Sequence, residues 1–221
     1  MERMDVAIDA RPSTAPVRLR AAAGVVDVWR ADLGAPGGGA DADGLMQLLC
    51  EQERTRAAQI VPARKRVLWA CSHGILRALL GRYLDADPRE LRFGLGPHGK
   101  PVLRGPVGQD PDEPDGRRAD LRFNLSHSGE LMLVAVTAGR EVGVDVELIG
   151  NRHPADVLRA WTMREATGKC LGTGLASTPV ASGGPTDGLW ARAVDVGPRA
   201  VAAVAVHGGT QCELRCREWP G

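Results

Sequence analysis

Three acidic side chains and one lysine stand at spacings that could bring them to one place. Asp145 and Glu147 are two residues apart between valines, so in a β-strand their carboxylates project from one face. Glu165 and Lys169 are four residues apart, so in a helix they share a face. Three carboxylates and an ammonium suit a divalent cation that also holds a phosphate, because Mg²⁺ takes one or two protein carboxylates together with phosphate oxygens.

Each pair also has an ordinary structural explanation. An acidic pair at a strand end is often a solvated rim, and Glu-x-x-x-Lys on a helix is usually a surface ion pair of about 0.2–0.5 kcal/mol. The upstream sequence favours the functional interpretation, because Ser126 and His127 follow a strand-like run and precede the apolar stretch 131–136. The hypothesis of a phosphate-chemistry site therefore depends on the combination of motifs.

The combination resembles the signatures of the 4'-phosphopantetheinyl transferases, in particular the larger surfactin-synthetase-activating type. The three signatures occur in the family's order, as Phe123–Ser128 (FNLSHS), Gly143–Glu147 (GVDVE) and Trp161–Lys169 (WTMREATGK). A fourth piece, Gly99-Lys100-Pro101, stands upstream. Looser matches at 26–33 and 76–83 extend the resemblance over most of the chain.

The resemblance implies an α+β fold with two similar α/β halves in a pseudo-twofold arrangement and the active site in the cleft between them. On this basis, residues 1–106 are the N-terminal half with the coenzyme A nucleotide and carrier contacts. Residues 107–120 are a linker, and residues 121–221 are the C-terminal half with the metal site. The periodicity of the chain alone predicts only mixed α and β structure.

Apolar spacing and turn residues predict the elements that position these side chains. Strands are expected at 25–29, 91–93, 101–103, 121–125, 131–136, 142–148, 189–194, 200–206 and 213–217. Helices are expected across 45–83, with a break at Pro62, and from Pro154 to Leu171 with Gly172 as the cap. The stretches 35–43 and 177–188 are predicted loops. Trp161 is expected to pack in the core beside Val157.

The resemblance implies an enzyme that transfers the 4'-phosphopantetheine group of coenzyme A to a serine of an acyl, polyketide or peptidyl carrier protein. The reaction is Mg²⁺-dependent, with Mn²⁺ as an alternative, and it releases 3',5'-ADP. The implied metal ligands are Asp145, Glu147 and Glu165, and the implied catalytic residues are Glu147, Glu165 and Lys169.

The residues implied to bind coenzyme A come from several parts of the chain. They are Arg54, Arg66, Lys100, Pro101, Ser126, His127 and Lys169. For Lys100 and Pro101 a simple hairpin is an equally good interpretation, and arginines on helices usually form solvated faces.

Two departures from the family pattern bear on activity. Arg164 stands where the family has a lysine, and only residues 148–160 separate Glu147 from Trp161, where the family has several tens of residues. That longer segment includes a glutamate proposed as the base, so deprotonation of the serine would fall to Glu147 or to a hydroxide on the metal. The alternative function is accordingly an impaired relative that binds coenzyme A or a carrier protein without efficient transfer.

Composition limits the other function classes. The 221 residues include 28 basic and 27 acidic side chains, for a formal charge of +1, so no electrostatic attraction to nucleic acid or membrane is expected. The five cysteines have no disulfide or zinc spacing, which indicates a reducing compartment. The start of the chain has no signal-peptide pattern. We expect a cytoplasmic monomer.

Overall fold

The computed structural model describes six stretches of the chain, which are 19–34, 42–96, 99–104, 121–173, 188–208 and 211–220. The predicted linker 107–120, and most of the predicted loops 35–43 and 177–188, lie outside the described residues. The motifs that carry the family resemblance fall within them.

Nine strands and four α-helices form in the described stretches. The strands are β1 Val25–Asp32, β2 Arg92–Leu95, β3 Pro101–Arg104, β4 Leu121–Ser128, β5 Leu131–Ala138, β6 Val142–Leu148, β7 Leu189–Val194, β8 Ala200–His207 and β9 Glu213–Glu218. The helices are α1 Ala42–Gln47, α2 Glu51–Ala58, α3 Ala63–Leu84 and α4 Ala155–Leu171. This content confirms the predicted α+β class. No helix in these stretches is long and apolar enough to cross a membrane.

The strands form two main sheets and a hairpin. The first sheet has the order β4-β5-β1-β9, the second has the order β6-β8-β7, and β2 pairs with β3. Within the first sheet β1 is antiparallel to β5 and parallel to β9. That sheet therefore takes strands from both sides of the predicted boundary at 107–120, and the division into halves stays a prediction.

The two main sheets pack face to face, and a helix covers each outer face. On β1, Val26 and Val28 face the second sheet, whereas Trp29 faces α3. On β6, Val144 packs against the first sheet, and on the outer face of the second sheet Ala166 of α4 packs against β8. Because side chains alternate along a strand, Asp145 and Glu147 must project toward the α4 side.

The predicted helical stretch 45–83 differs in one respect from the observed elements. Pro62 separates α2 from α3 as expected, but a second break separates α1 from α2 before Cys50. The backbone N–H of Cys50 donates to Glu53 Oε2 at 3.0 Å, so a capping interaction begins a new helix there. Helix α4 ends as predicted, with Gly172 in the left-handed region at φ 65°.

Close approach of α4 to β6 depends on Gly143. A Cβ atom at this position would collide with the backbone of Ala166 and Cys170. Backbone atoms cannot move aside as a flexible side chain does, so the residue at 143 sets the distance between the helix and the strand. Glu165 and Lys169 lie on this helix, and Asp145 and Glu147 lie on this strand.

Gly143→Ala is expected to displace α4 and to lower the free energy of unfolding by about 1–3 kcal/mol, the usual range for overpacking. Urea denaturation followed by circular dichroism measures the change. Gly150→Ala is the matched control, because a Cβ there meets no atom within 4 Å. Equal stability of the two variants would contradict the proposed role of Gly143.

Candidate functional site

Polar side chains connect β4 to β6, the edge strands of the two main sheets. The backbone N–H of Val144 donates to Asn124 Oδ1 at 2.9 Å. Ser128 Oγ donates to Glu147 Oε2 at 2.9 Å and accepts from the backbone N–H of Leu148 at 3.1 Å. Partner numbers rise together along both strands, so the strands lie side by side in the same direction. The side-chain hydrogen bonds therefore join the two strands, as backbone hydrogen bonds join the strands within a sheet.

The central contact between the two strands also includes α4. Lys169 Nζ donates to Asp145 Oδ1 at 2.7 Å, to Ser126 Oγ at 3.0 Å and to the carbonyl oxygen of Val144 at 3.3 Å. Ser126 Oγ donates to the same Asp145 oxygen at 2.9 Å. We call Ser126, Asp145 and Lys169 the central triad. It joins all three signature motifs of the sequence.

Asp145 is the most buried carboxylate of the cluster. Its side chain is 6% exposed, whereas that of Lys169 is 30% exposed. Only Oδ1 of Asp145 is used by the central triad, and Oδ2 is buried with no hydrogen-bond partner. A buried oxygen without a partner is rare in native proteins and usually marks a functional site or a bound group.

Glu147 and Glu165 lie within electrostatic range of Asp145. Burial raises the pKa of Glu165, and the negative charges of Asp145 and Glu147 act in the same direction, whereas Lys169 opposes them. The three predicted metal ligands therefore occupy one region. In the stretches that the structure describes, however, no three His, Cys, Asp or Glu side chains are arranged to hold a metal ion.

The chemistry of the donors nevertheless fits a hard divalent cation. All three side chains offer carboxylate oxygens, which Mg²⁺ prefers, and Asp145 Oδ2 is unpartnered. Two other oxygens of the cluster accept from protein donors, since Lys169 and Ser126 donate to Asp145 Oδ1 and Ser128 donates to Glu147 Oε2.

The turn before β3 is attached to the beginning of β6. Lys100 Nζ donates to Glu141 Oε2 at 2.6 Å and to the carbonyl oxygen of Val142 at 3.0 Å. Arg122 Nε is 2.9 Å from the other oxygen of Glu141. Lys100 is therefore held by β6, and Pro101 follows it as the first residue of β3.

A groove of about 1140 Å³ lies between α2, α3 and the β2–β3 hairpin, and Pro101 lines it. On its helical side the rings of Trp69 and His73 stack with their centroids 3.7 Å apart. The guanidinium carbon of Arg56 lies 5.9 Å from the centroid of the Trp69 ring. We call this cavity the α2–α3 groove.

His73, which lines the α2–α3 groove, is within electrostatic range of His127 of β4. Burial lowers the pKa of His73, and the positive charges of Arg56 and His127 act in the same direction. His127 is exposed and lies near enough to affect His73 electrostatically. Pro101 is the predicted site residue that lines the groove, and His127 is near its helical side.

The two predicted arginines are bound to backbone carbonyls at the ends of α2. Arg54 Nη1 donates to the carbonyl oxygen of Leu49 at 2.5 Å. Arg66 Nε donates to that of Ile60 at 3.1 Å. Arg56, which the sequence reasoning did not select, lines the groove instead. Arg54 and Arg56 lie on α2 and Arg66 lies on α3, and their spacing along the chain does not show which of them faces the groove.

The prediction that Trp161 packs in the core is wrong. Its side chain is 43% exposed, and Val157, one turn earlier, is 50% exposed. The helical spacing of these residues is real, but the face they form lies on the first two turns of α4, which are exposed. Helical periodicity shows which residues share an apolar face, but it does not show whether another part of the protein packs on that face.

Two known proteins are similar in sequence to this chain, whereas no family model matches it. HetI of Nostoc sp., a 4'-phosphopantetheinyl transferase, is 28% identical over 187 residues, which cover 73% of this chain and 74% of HetI. A protein of Synechocystis sp., provisionally named a 4'-phosphopantetheinyl transferase, is 31% identical over 106 residues. That match covers 48% of this chain and 39% of the Synechocystis protein. The chain is thus similar to 4'-phosphopantetheinyl transferases over most of its length.

These relatives confirm the resemblance to the superfamily and the prediction of an enzyme. They do not distinguish the surfactin-synthetase-activating type from others, so that assignment stays a prediction. The roles given to individual residues of the site stay predictions as well.

Removal of the ammonium of the central triad should destabilise the protein through Asp145. Lys169→Met leaves a buried carboxylate without its cation, and we expect a loss of about 2 kcal/mol. The expected loss is smaller than the ~3–5 kcal/mol that follows removal of one partner from a fully buried ion pair, because Lys169 is 30% exposed. Asp145→Asn in the Lys169→Met background should recover part of the loss. A double-mutant cycle by urea denaturation measures the coupling, and additive effects would show that the two groups are not paired.

Proposed function

We propose that this protein transfers the 4'-phosphopantetheine group of coenzyme A to a serine of an acyl, polyketide or peptidyl carrier protein. The reaction depends on Mg²⁺ or Mn²⁺ and releases 3',5'-ADP. The observation that carries the proposal is the central triad, since Ser126, Asp145 and Lys169 come from three separate motifs and meet within 3.0 Å. The similarity to HetI gives the reaction class.

The chemical step is a phosphoryl transfer. The hydroxyl oxygen of the carrier serine forms a bond to the β-phosphorus of coenzyme A, and the bond from that phosphorus to the bridging oxygen breaks. The leaving group is 3',5'-ADP, and the proton of the serine passes to a carboxylate of the protein, for which we propose Glu147. Catalysis of this kind depends mainly on positioning and on stabilisation of charge.

Lys169 and Ser126 are suited to bind the pyrophosphate. Lys169 bears a positive charge and is already oriented by three oxygen acceptors. Ser126 Oγ donates to the Asp145 oxygen that also accepts from Lys169. A phosphate oxygen that approached Lys169 would therefore also come close to this hydroxyl. An ammonium has three N–H donors, so Lys169 would exchange one of its present acceptors for a phosphate oxygen.

Asp145, Glu147 and Glu165 would hold the divalent cation. The unpartnered Oδ2 of Asp145 supports this assignment. When bound, Mg²⁺ supplies charge neutralisation for the phosphate oxygens. The carboxylate oxygens suit hard cations such as Mg²⁺ and Mn²⁺.

We propose the α2–α3 groove for the nucleotide half of coenzyme A. It is lined by Pro101 and Arg56, and Trp69 offers an aromatic ring, which suits a purine base. The arginine would interact with phosphate. We assign Pro101 to this part of the site, with Lys100 and His127 beside it. Arg54 and Arg66 contact backbone carbonyls at the ends of α2, and their role in binding coenzyme A stays a prediction.

Intact-mass spectrometry of an apo carrier protein tests the function. Incubation with this protein, coenzyme A and Mg²⁺ should add the mass of one phosphopantetheine group, and Glu147→Ala should abolish the addition. Asp156→Ala, which removes an exposed carboxylate from α4, should retain it. No addition while coenzyme A still binds would favour the alternative of an impaired relative, with the short segment 148–160 as the place of the defect.

Metal binding has a readout that does not depend on activity. Mg²⁺ with coenzyme A should raise the melting temperature of the wild type, because a ligand that binds only the folded state stabilises it. Asp145→Asn should weaken binding of Mn²⁺, measured by electron paramagnetic resonance, by at least about tenfold, or 1.4 kcal/mol. Asp156→Asn is the matched control, and equal Mn²⁺ affinity in both variants would exclude Asp145 as a ligand.

A further inference from the structure

The two carboxylates of β6 are held in different ways. Asp145 is buried and accepts hydrogen bonds from both Lys169 and Ser126. Glu147 is half-buried near the end of the strand, and its carboxylate has one hydrogen bond within the described residues, which Oε2 accepts from Ser128 Oγ at 2.9 Å. A glutamate side chain has many rotamers, and fixing one of them costs entropy. A single hydroxyl therefore decides where the Glu147 carboxylate points.

The hydroxyl of Ser128 is itself oriented by the strand that it contacts. A serine hydroxyl has one proton to donate and an oxygen that can accept. The oxygen of Ser128 accepts from the backbone N–H of Leu148 at 3.1 Å, and the proton is donated to Glu147 Oε2. The two contacts are to adjacent residues of β6, so Ser128 holds the Glu147 side chain relative to the backbone that carries it.

The turn after Ser128 is fixed against neighbouring elements. The backbone N–H of Leu33, which follows β1, donates to the carbonyl oxygen of Glu130 at 2.7 Å. Gly129 has a left-handed φ of 59°, and a Cβ there would lie 2.7 Å from Leu148 Cδ1. The turn between β4 and β5 thus lies directly against the end of β6, and Ser128 donates from a fixed position.

The second oxygen of Glu147 is left available by this arrangement. Oε1 accepts no hydrogen bond from another described residue. Glu147 lies within electrostatic range of Glu165, so this oxygen belongs to the carboxylate cluster. A residue that binds one oxygen of a carboxylate fixes the direction of the other, and partners of this kind tune the affinity of metal ligands.

We propose that Ser128 is a positioning residue of the site, which holds Glu147 through Oε2 and leaves Oε1 to bind the divalent cation. The inference rests on the proposed function, which supplies the cation and the reaction. Ser128 acts through Glu147, whereas Ser126 on the same face of β4 shares its acceptor with Lys169. The two serines of the motif thereby have separate tasks.

A purely structural role for Ser128 would be to join β4 to β6. Asn124 does this through the backbone N–H of Val144 alone. Removal of the Ser128 hydroxyl would leave the N–H of Leu148 without its acceptor, but Leu148 is 43% exposed, so water can replace the hydroxyl. The Ser128→Ala variant should therefore fold, and a change in cation binding would report on Glu147.

Electron paramagnetic resonance with Mn²⁺ alone measures this change. Ser128→Ala should weaken Mn²⁺ binding by about tenfold, as expected when a residue that orients a metal ligand is removed. Ser128→Thr keeps the hydroxyl and should bind within about twofold of the wild type. The matched control is Thr137→Val, which removes a buried hydroxyl that donates to the Val25 carbonyl oxygen and should keep the wild-type affinity.

A second background tests whether Ser128 acts through Glu147. In the Glu147→Ala protein, the additional Ser128→Ala change should not alter Mn²⁺ affinity, because the group that the serine orients is already absent. A further tenfold loss in that background would overturn the proposal. A wild type that binds no Mn²⁺ would overturn it as well.

Transfer to an apo carrier protein separates this inference from the proposed function. With coenzyme A and Mg²⁺, Ser128→Ala should lower kcat by about tenfold, and Ser128→Thr should restore it. If the wild type transfers the group and Ser128→Ala matches it in kcat and in Mn²⁺ affinity, the positioning role is overturned and the proposed function stands. If the wild type transfers nothing, but Ser128→Ala weakens Mn²⁺ binding and Ser128→Thr does not, the positioning role stands and the proposed function fails.

Discussion

The contact of Lys169 with Asp145 is the interaction on which the arrangement of the site depends. It is a charged hydrogen bond of 2.7 Å to a carboxylate that is almost fully buried. Burial of such a carboxylate is costly unless its charge is compensated. The ammonium therefore holds α4 against β6, and the hydroxyl of Ser126 holds β4 against both.

The polar residues of β4 also contribute to this arrangement, because their side chains face β6. The strands β4 and β6 belong to different sheets and share no backbone ladder. Asn124, Ser126 and Ser128 instead make side-chain hydrogen bonds to successive positions of β6. Hydrogen bonds between buried polar groups are directional, so they fix the register of the two strands more narrowly than apolar packing would. The carboxylates of β6 are thus positioned by the neighbouring sheet.

One oxygen of the carboxylate cluster takes no part in these hydrogen bonds. Asp145 Oδ2 is buried and has no partner, although Oδ1 has two. An unsatisfied buried oxygen lowers stability by about 1–3 kcal/mol, and this cost is retained where the site gains from it in function. This unpartnered oxygen is where the proposed cation would complete the cluster.

Much of this protein could be predicted from local sequence. Alternation of valines with acids placed Asp145 and Glu147 on one face of β6, and Gly172 ended α4, because side-chain direction and left-handed backbone conformation are local properties. The relation between Arg54, Arg56 and Arg66 could not be predicted in this way. Their surroundings depend on how α2 lies against α3, which no spacing along the chain encodes.

The sequence by itself determined which side chains share a strand face or a helix face, and with them the class of chemistry. Only the tertiary structure decided that Lys169 contacts Asp145, that Trp69 and His73 stack in a groove, and that Trp161 is exposed. The physical reason is that periodicity fixes the direction of a side chain relative to its own element. What that side chain meets depends on the packing of other elements, which distant parts of the chain supply.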